Sequence, residues 1–179
     1  MKFLEFYAQA SGADRSDPLL SIVKNLNDEK ARLVELRRQT QGYLIPISVK
    51  GKTSIVADPD LAEETATLAA QIESSKARIA DLEERIVTVD EICAKYGIER
   101  PVMRDLQRQV GFAKSSIIRA KAKAAGVLGH VLSFKCQDEE QAKLHPLYLR
   151  AVKEYEARKS AEPHIAKLEK CLAELRTVL

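Results

Sequence analysis

The most constraining feature of this sequence is a run of mainly apolar residues, spaced alternately by four and three, between residues 61 and 93. Its members are Leu61, Thr65, Leu68, Ile72, Ser75, Ile79, Leu82, Ile86, Val89 and Cys93. This spacing puts every member on one stripe of an α-helix, and its persistence over several heptads with charged flanks predicts a coiled coil. We therefore expect one long helix, which starts at Asp58-Pro59-Asp60 and ends near Gly97.

A shorter helix with the same kind of pattern precedes it. Asp17-Pro18 is typical of a helix start, with a capping aspartate followed by proline at the first helical position. The apolar positions that follow are Leu19, Ile22, Leu26, Leu33 and Leu36. Glu29 interrupts this seam, and Gly42 is the expected end of the helix.

Between the two helices, residues 43–57 change character. Two short runs rich in β-branched residues flank Lys50-Gly51-Lys52, which predicts a small β-hairpin with a glycine turn. Pro46 favours an edge position because it has no N–H to donate. The sequence thus predicts a helical hairpin with a β-hairpin at its tip.

The second helix is longer than the first by roughly 20 Å at 1.5 Å per residue. The apolar seam from Leu82 onward must therefore be buried against another partner. The candidates are the N-terminal aromatic segment, the C-terminal helices and a second subunit. We expect a homo-oligomer formed through the heptad seams, with parallel or antiparallel packing left open.

Composition and charge agree with an elongated, all-α chain. There is no Trp, 5% of residues are aromatic and 31% are charged, which favours long helices with narrow seams over one deep core. Residues 94–135 contain nine basic side chains and two acidic ones, a local charge of +7 in a chain of net charge +3. Such an excess is typical of a surface that docks a polyanion, although a merely solvated basic face remains an alternative.

The start of this basic region, residues 89–109, has the spacing of two short helices that meet across a tight turn. Ile92, Tyr96 and Ile98 fall at the packing positions of the first helix and the turn, and Met103 and Leu106 at those of the second. Small Cys93 lies where the helices approach, Gly97 suits a positive φ, and Pro101 suits the first turn of the second helix. The segment resembles the helix-turn-helix motif of DNA-binding proteins, at the level of the motif only.

This resemblance implies that the second helix presents its outward side chains to nucleic acid, and the basic helix that follows adds more. The candidate contacts are Arg100, Arg104, Gln107, Arg108, Lys114, Ser115, Arg119, Lys121 and Lys123. Arg100, Arg104 and Arg108 recur every four residues and should form one stripe. We expect Gly111 to end the second helix, so that Ser115 lies near the start of a new one, and Gly126 and Gly129 to form a hinge.

The class of partner follows from the same residues. Few aromatic side chains lie in the basic segment, so duplex DNA bound through phosphates is favoured over stacked single strands. The sequence contains no P-loop, nucleophile elbow, dinucleotide turn or HExxH, which argues against an enzyme and against a cofactor. His130, Cys136 and His145 have no familiar ligand spacing, so no metal is expected.

The location is expected to be a reducing cytoplasm. Three cysteines lie far apart without CxxC spacing, the first ten residues lack a signal-peptide core, and no apolar run is long enough to span a bilayer. Pro146 and Pro163 each begin a further helix. The predicted organisation is a coiled-coil hairpin at 1–88, a basic helix-turn-helix-like segment at 89–135 and C-terminal helices at 136–179.

Two functions remain open. The first is non-catalytic binding of duplex DNA by a coiled-coil oligomer, as in a regulator or a phage- or plasmid-encoded DNA-handling factor. The second is a coiled-coil assembly or adaptor protein, since a helical pair with a β-hairpin at its tip, over residues 18–97, resembles the subunits of prefoldin-type chaperones. On that view the β-hairpin pairs with other subunits, and the basic segment docks an acidic protein partner.

Overall fold

The computed structural model describes residues 2–49 and 52–179 and is mostly helical. Its helices are α1 (Phe3–Gln9), α2 (Gly12–Arg15), α3 (Pro18–Gly42), α4 (Ala62–Tyr96), α5 (Met103–Phe134), α6 (Glu139–Leu144), α7 (Pro146–Lys159) and α8 (Glu162–Arg176). Strands β1 (Leu44–Val49) and β2 (Lys52–Ala57) pair antiparallel, with Leu44 opposite Ala57 and Val49 opposite Lys52. The predicted turn at Lys50 and Gly51 lies outside the described residues.

The two long N-terminal helices begin where their sequence signals predict. The Asp17 carboxylate accepts a hydrogen bond from the backbone N–H of Leu19, and Pro18 is the first residue of α3. Asp58 accepts from the N–H of Asp60 in the same way and starts a 3-10 turn, Pro59–Leu61, that leads into α4. α3 ends at Gly42, as predicted.

The heptad pattern of α4 is its buried stripe. Leu68, Ser75, Ile86, Val89 and Cys93 are buried, and the other members of the pattern are half-buried, whereas most of the positions between them are exposed. Ser75 is only 1% exposed although it is polar. The periodic apolar spacing thus correctly identified the buried face of α4.

Side chains of α3 contact that stripe and its edges. Ser75 donates a 2.7 Å hydrogen bond to Glu29, and Lys30 lies 2.7 Å from the carboxylate of Glu83. At the strand end, the N–H of Asp58 donates to the carbonyl of Tyr43. Residue numbers fall from Tyr43 to Glu29 on the α3 side as they rise from Asp58 to Ser75 on the α4 side, so the two helices run in opposite directions.

The chain divides into two compact units, Met1–Glu91 with Val178–Leu179, and Ile92–Thr177. In the first unit, α1 and α2 pack on α3, and the Phe3 N–H donates a 2.6 Å hydrogen bond to Asp90 of α4. Arg85 donates to the carbonyl of Leu179. Both chain ends therefore contact the part of α4 beyond Leu82 that was expected to need a cover.

In the second unit, α5 packs against α6, α7 and α8, so the predicted segments 89–135 and 136–179 lie largely together. The prediction that α5 ends at Gly111 and hinges at Gly126 and Gly129 is wrong, because one helix runs from Met103 to Phe134. Each interior glycine costs roughly 1 kcal/mol relative to alanine, but burial of an apolar stripe on the same helix outweighs that cost. The buried stripe comprises Met103, Leu106, Val110, Ala120, Ala124 and Val131. α7 and α8 begin at Pro146 and one residue before Pro163, respectively, as the prolines predict.

Candidate nucleic-acid interface

The bend after α4 is closed by a glycine in the left-handed region. Gly97 has φ +63°, its N–H donates to the carbonyl of Ala94, and the N–H of Ile98 donates to the carbonyl of Cys93. This pair of hydrogen bonds is the Schellman arrangement, which satisfies helix-end carbonyls and requires a positive φ at its central residue. The prediction for Gly97 is therefore confirmed.

The second helix begins later than the sequence suggested. Six residues, 97–102, separate α4 from α5, and Val102 is the residue that precedes the first helical position. Pro101 is buried in this connection and is not in the first turn of α5, which corrects the prediction. Arg100 lies in the same connection, so it does not extend a helical stripe with Arg104 and Arg108.

The positions expected to pack around the bend are buried or half-buried. Ile92, Cys93, Tyr96, Met103 and Leu106 are buried and Ile98 is half-buried. The burial of these residues is as expected, but the connection between the two helices is longer than predicted.

A polar contact ties the end of α4 to α8. The Tyr96 hydroxyl and the Lys95 ammonium both donate to the carboxylate of Glu174, over 2.7 and 2.6 Å. The hydrogen bond from Lys95, followed by that from Tyr96, holds the pKa of Glu174 below its usual value. The hydrogen bond to Glu174 raises the pKa of Lys95 and of Tyr96 in turn.

The predicted nucleic-acid contacts on α5 are exposed, and four of them share one side of the helix. Arg104, Arg108, Ser115 and Arg119 follow one another at spacings of four, seven and four, which places them along one face. We call these four residues the arginine face. Since Met103, Leu106 and Val110 form the buried stripe, the arginine face lies on the opposite side of α5.

Other members of the predicted set point to the flanks of α5. Lys114 pairs with Glu169 of α8 at 2.5 Å, and Lys123 pairs with Glu154 of α7 at 2.7 Å. These pairs compensate part of the positive charge predicted for the segment. Because exposed ion pairs contribute little, about 0–1 kcal/mol, an incoming polyanion can compete for either lysine.

Ser115 is exposed in the middle of α5, not near a helix start, which corrects that expectation. Its neighbour Ser116 accepts a 2.8 Å hydrogen bond from Arg158 of α7. Gln107 and Lys121 are also exposed, but their helical positions lie off the arginine face. The structure thus places Arg104, Arg108, Ser115 and Arg119 on one face of α5, with Lys123 beside Arg119, and it separates Arg100 and Lys114 from that face.

Sequence reasoning missed the basic residues of α7. Arg150 and Arg158 line, with Lys123 and Arg119, the surface between α5 and α7. Arg150 and Arg158 each lie four residues from Glu154, so the three side chains share one face of a helix. This spacing does not reveal which neighbouring helix that face contacts. Only the packing of α7 on α5 adds them to the basic surface.

Nothing in the described ranges, 2–49 and 52–179, groups three or more His, Cys, Asp or Glu side chains around a position for a metal ion. In the same ranges, no helix is both long and apolar enough to cross a membrane. No family model, curated protein or solved structure matches this chain. The interpretation of the site therefore depends on the chemistry of its own residues.

Proposed function

We propose that this protein binds duplex nucleic acid, in the first place DNA, without catalysing a reaction. The observation that carries the proposal is the arginine face, a row of guanidinium groups and one hydroxyl directed away from the packed side of α5. Guanidinium groups bind phosphate oxygens in a bidentate fashion and also reach guanine edges in the major groove.

The exposed backbone of α5 supports close approach to a phosphate chain. Gly111 lies between Arg108 and Ser115 on the solvent side, and a Cβ at this glycine would meet no atom within 4 Å. Packing within the protein therefore does not require a glycine at this position. The absence of a side chain leaves room for a ligand beside the arginines. In the helix-turn-helix interpretation, the N-terminal part of α5 enters the major groove, while Arg119 and the lysines reach the phosphates.

The frame for this surface would be an antiparallel coiled coil of α3 and α4, with the β-pair at its end. We further propose a homo-oligomer, in which two copies of the arginine face engage one duplex. The seam of α4 beyond Leu82 does not require a second subunit, since the chain's own ends contact that part of α4. The oligomer proposal therefore depends on the exposed apolar side chains of the strands, and light scattering during gel filtration tests it. We also propose a reducing compartment such as the cytoplasm, because Cys93, Cys136 and Cys171 form no disulfide.

Fluorescence anisotropy with a labelled random-sequence duplex tests the binding proposal. Binding through phosphate contacts should weaken steeply as salt rises. The logarithm of the binding constant should fall with the logarithm of the salt concentration by about 0.9 per phosphate neutralised. A single strand of equal length should bind more weakly, because the surface lacks a series of stacking aromatics. Absence of binding at about 50 mM salt would reject the proposal.

One observation favours the adaptor function as the second candidate. Ile55 in β2 is 70% exposed, and Leu44 and Val56 are also exposed, on a sheet that has two strands among the described residues. Exposed apolar strands with open edges are suited to pairing with another protein. On this alternative, the glutamates that already pair with Lys114 and Lys123 indicate the acidic chemistry of the partner.

A further inference from the structure

A groove between α5 and α7 joins Arg119 and Lys123, two of the candidate phosphate contacts, to Arg150 and Arg158, which the nucleic-acid proposal does not use. It consists of two adjoining cavities of about 500 and 250 Å³, which share Lys123 and Glu154 in their linings. We call it the α5–α7 groove. Its larger cavity has the size of a pocket for a small organic molecule.

Cationic side chains surround the groove from both helices. Arg119 and Lys123 come from α5, and Arg150 and Arg158 come from α7. Glu154 is the single carboxylate in the lining of either cavity. The groove therefore has an excess of positive charge on a rim that solvent can enter.

The state of Glu154 shows that this excess acts inside the groove. The hydrogen bond from Lys123 lowers the pKa of Glu154, and the charges of Arg158 and Arg150 lower it further. An anion is thus stabilised by three cations at this point. The carboxylate lies where an anionic group of a ligand would make the same contacts.

The floor and ends of the groove are apolar or aromatic. Gly126, Val127 and Ala151 lie along the larger cavity, and Leu147, in the first turn of α7, lies at its edge. His130 lines this cavity and lies against Phe134, with ring centroids 5.0 Å apart. Phe112, which is 69% exposed, lines the smaller cavity.

We propose that the α5–α7 groove binds a small organic phosphate with a planar apolar body, that is, a nucleotide-like ligand. Its phosphoryl groups would contact Lys123, Arg150 and Arg158 and displace the Lys123–Glu154 pair. Its ring would lie over Val127 and Ala151 and beside His130. This inference does not depend on duplex binding by the arginine face, and either proposal can fail alone.

Gly126 offers a direct test, because a Cβ there would meet no atom within 4 Å and a longer side chain would extend along the cavity. Gly126→Leu should therefore fill the groove without disturbing α5, and leucine favours a helix over glycine. Gly129→Leu is the matched control, since Gly129 is also exposed in α5 with no neighbour within 4 Å but does not line the groove.

The measurement is isothermal titration of the full-length protein with ATP, inorganic tripolyphosphate and adenosine. We expect saturable one-to-one binding of ATP, weaker binding of tripolyphosphate and none of adenosine. Gly126→Leu and Arg150→Gln should each weaken the affinity for ATP by about tenfold or more, and Gly129→Leu should leave this affinity unchanged. Glu154→Gln should tighten it, because it removes the competing anion.

Several results would overturn the proposal. These are no heat of ATP binding at millimolar concentration, equal affinity for ATP and tripolyphosphate, and parental ATP affinity in both Gly126→Leu and Arg150→Gln. Arg150→Gln, at an exposed position, decides the matter if Gly126→Leu fails to fold. If Gly126→Leu and Arg150→Gln lose ATP binding but still bind the duplex, the result would support ATP binding in the α5–α7 groove. It would also show that the arginine face is a separate surface.

Discussion

Ser75 and Glu29 interrupt the apolar seams of α4 and α3, and they are hydrogen-bonded to each other at 2.7 Å. Ser75 is 1% exposed and the Glu29 side chain 14%, with Arg32 and Arg78 at 3.9 and 4.0 Å from its carboxylate. The interruption at Glu29 and the polar member Ser75 of the α4 pattern are therefore one polar contact. A single polar pair in an apolar seam fixes the register of two helices at a cost in stability.

The first prediction concerns this pair. Glu29→Ala should destabilise the protein by about 1–3 kcal/mol, since it leaves the buried Ser75 hydroxyl without its acceptor. Adding Ser75→Ala should recover part of that loss. A double-mutant cycle by urea unfolding measures the coupling, expected at about 1 kcal/mol. Additive effects of the two substitutions would show that the contact does not stabilise the fold.

The second prediction separates two glycines. Gly97→Ala should destabilise by about 1–2 kcal/mol, because φ +63° strains any residue with a Cβ. The added Cβ would meet only the Lys167 ammonium, at 4.0 Å, so the cost comes from the backbone. Gly129→Ala, inside α5, should instead stabilise by roughly 0.5–1 kcal/mol. Thermal unfolding compares the two, and a shift of equal sign in both would contradict the assigned conformations.

The third prediction is a pH dependence. The pKa of Glu174 is lowered from 4.5 in the folded state, so its contribution to stability is present above that pH and is lost as pH falls through the lowered value. The raised pKa values of Lys95 and Tyr96 work in the opposite sense, and their contribution is lost only at strongly alkaline pH.

Glu174→Gln should therefore be less stable than the parent near neutral pH, and the two should converge as pH falls through the lowered pKa of Glu174. Urea midpoints across this range measure the difference. Glu169→Gln, which breaks the exposed pair with Lys114, serves as a comparison on the same helix. A constant difference between parent and Glu174→Gln across pH would show that the Glu174 charge does not stabilise the bend.

The helices were predictable from sequence where local signals and burial agree. The spacing from Leu61 to Cys93 identified the buried stripe of α4, and the Asp17-Pro18 and Asp58-Pro59 pairs located the starts of α3 and of the 3-10 turn before α4. The glycines of α5 misled because propensity is a local quantity. Gly111, Gly126 and Gly129 look like breaks, but the apolar stripe of α5 packs on α7 and α8 and keeps the helix continuous.

The candidate site was predictable only in part, for a related reason. Exposure of Arg104 and Arg108 follows from their spacing relative to Met103 and Leu106, which are buried. The ion pairs of Lys114 and Lys123 could not be predicted from the sequence. Their partners Glu169 and Glu154 lie on helices whose positions are set by tertiary packing. The α5–α7 groove escaped sequence analysis on the same grounds.

One comparison of two variants tests most directly whether the arginine face binds duplex DNA. Arg104→Ala with Arg108→Ala removes two positive charges from this face. Arg37→Ala with Arg38→Ala removes the same charge from exposed positions of α3 and serves as the control. Both variants should unfold within about 0.5 kcal/mol of the parent, since exposed arginines contribute little to stability.

Anisotropy titrations of the same random duplex, over a salt series, then give the affinity and the salt slope of each protein. We predict that the α5 variant loses about tenfold or more in affinity at low salt, and that its slope becomes shallower by roughly one for each phosphate contact removed. The α3 variant should bind like the parent. If the α5 variant binds like the parent, or if both variants lose affinity equally, the arginine face is not the nucleic-acid interface.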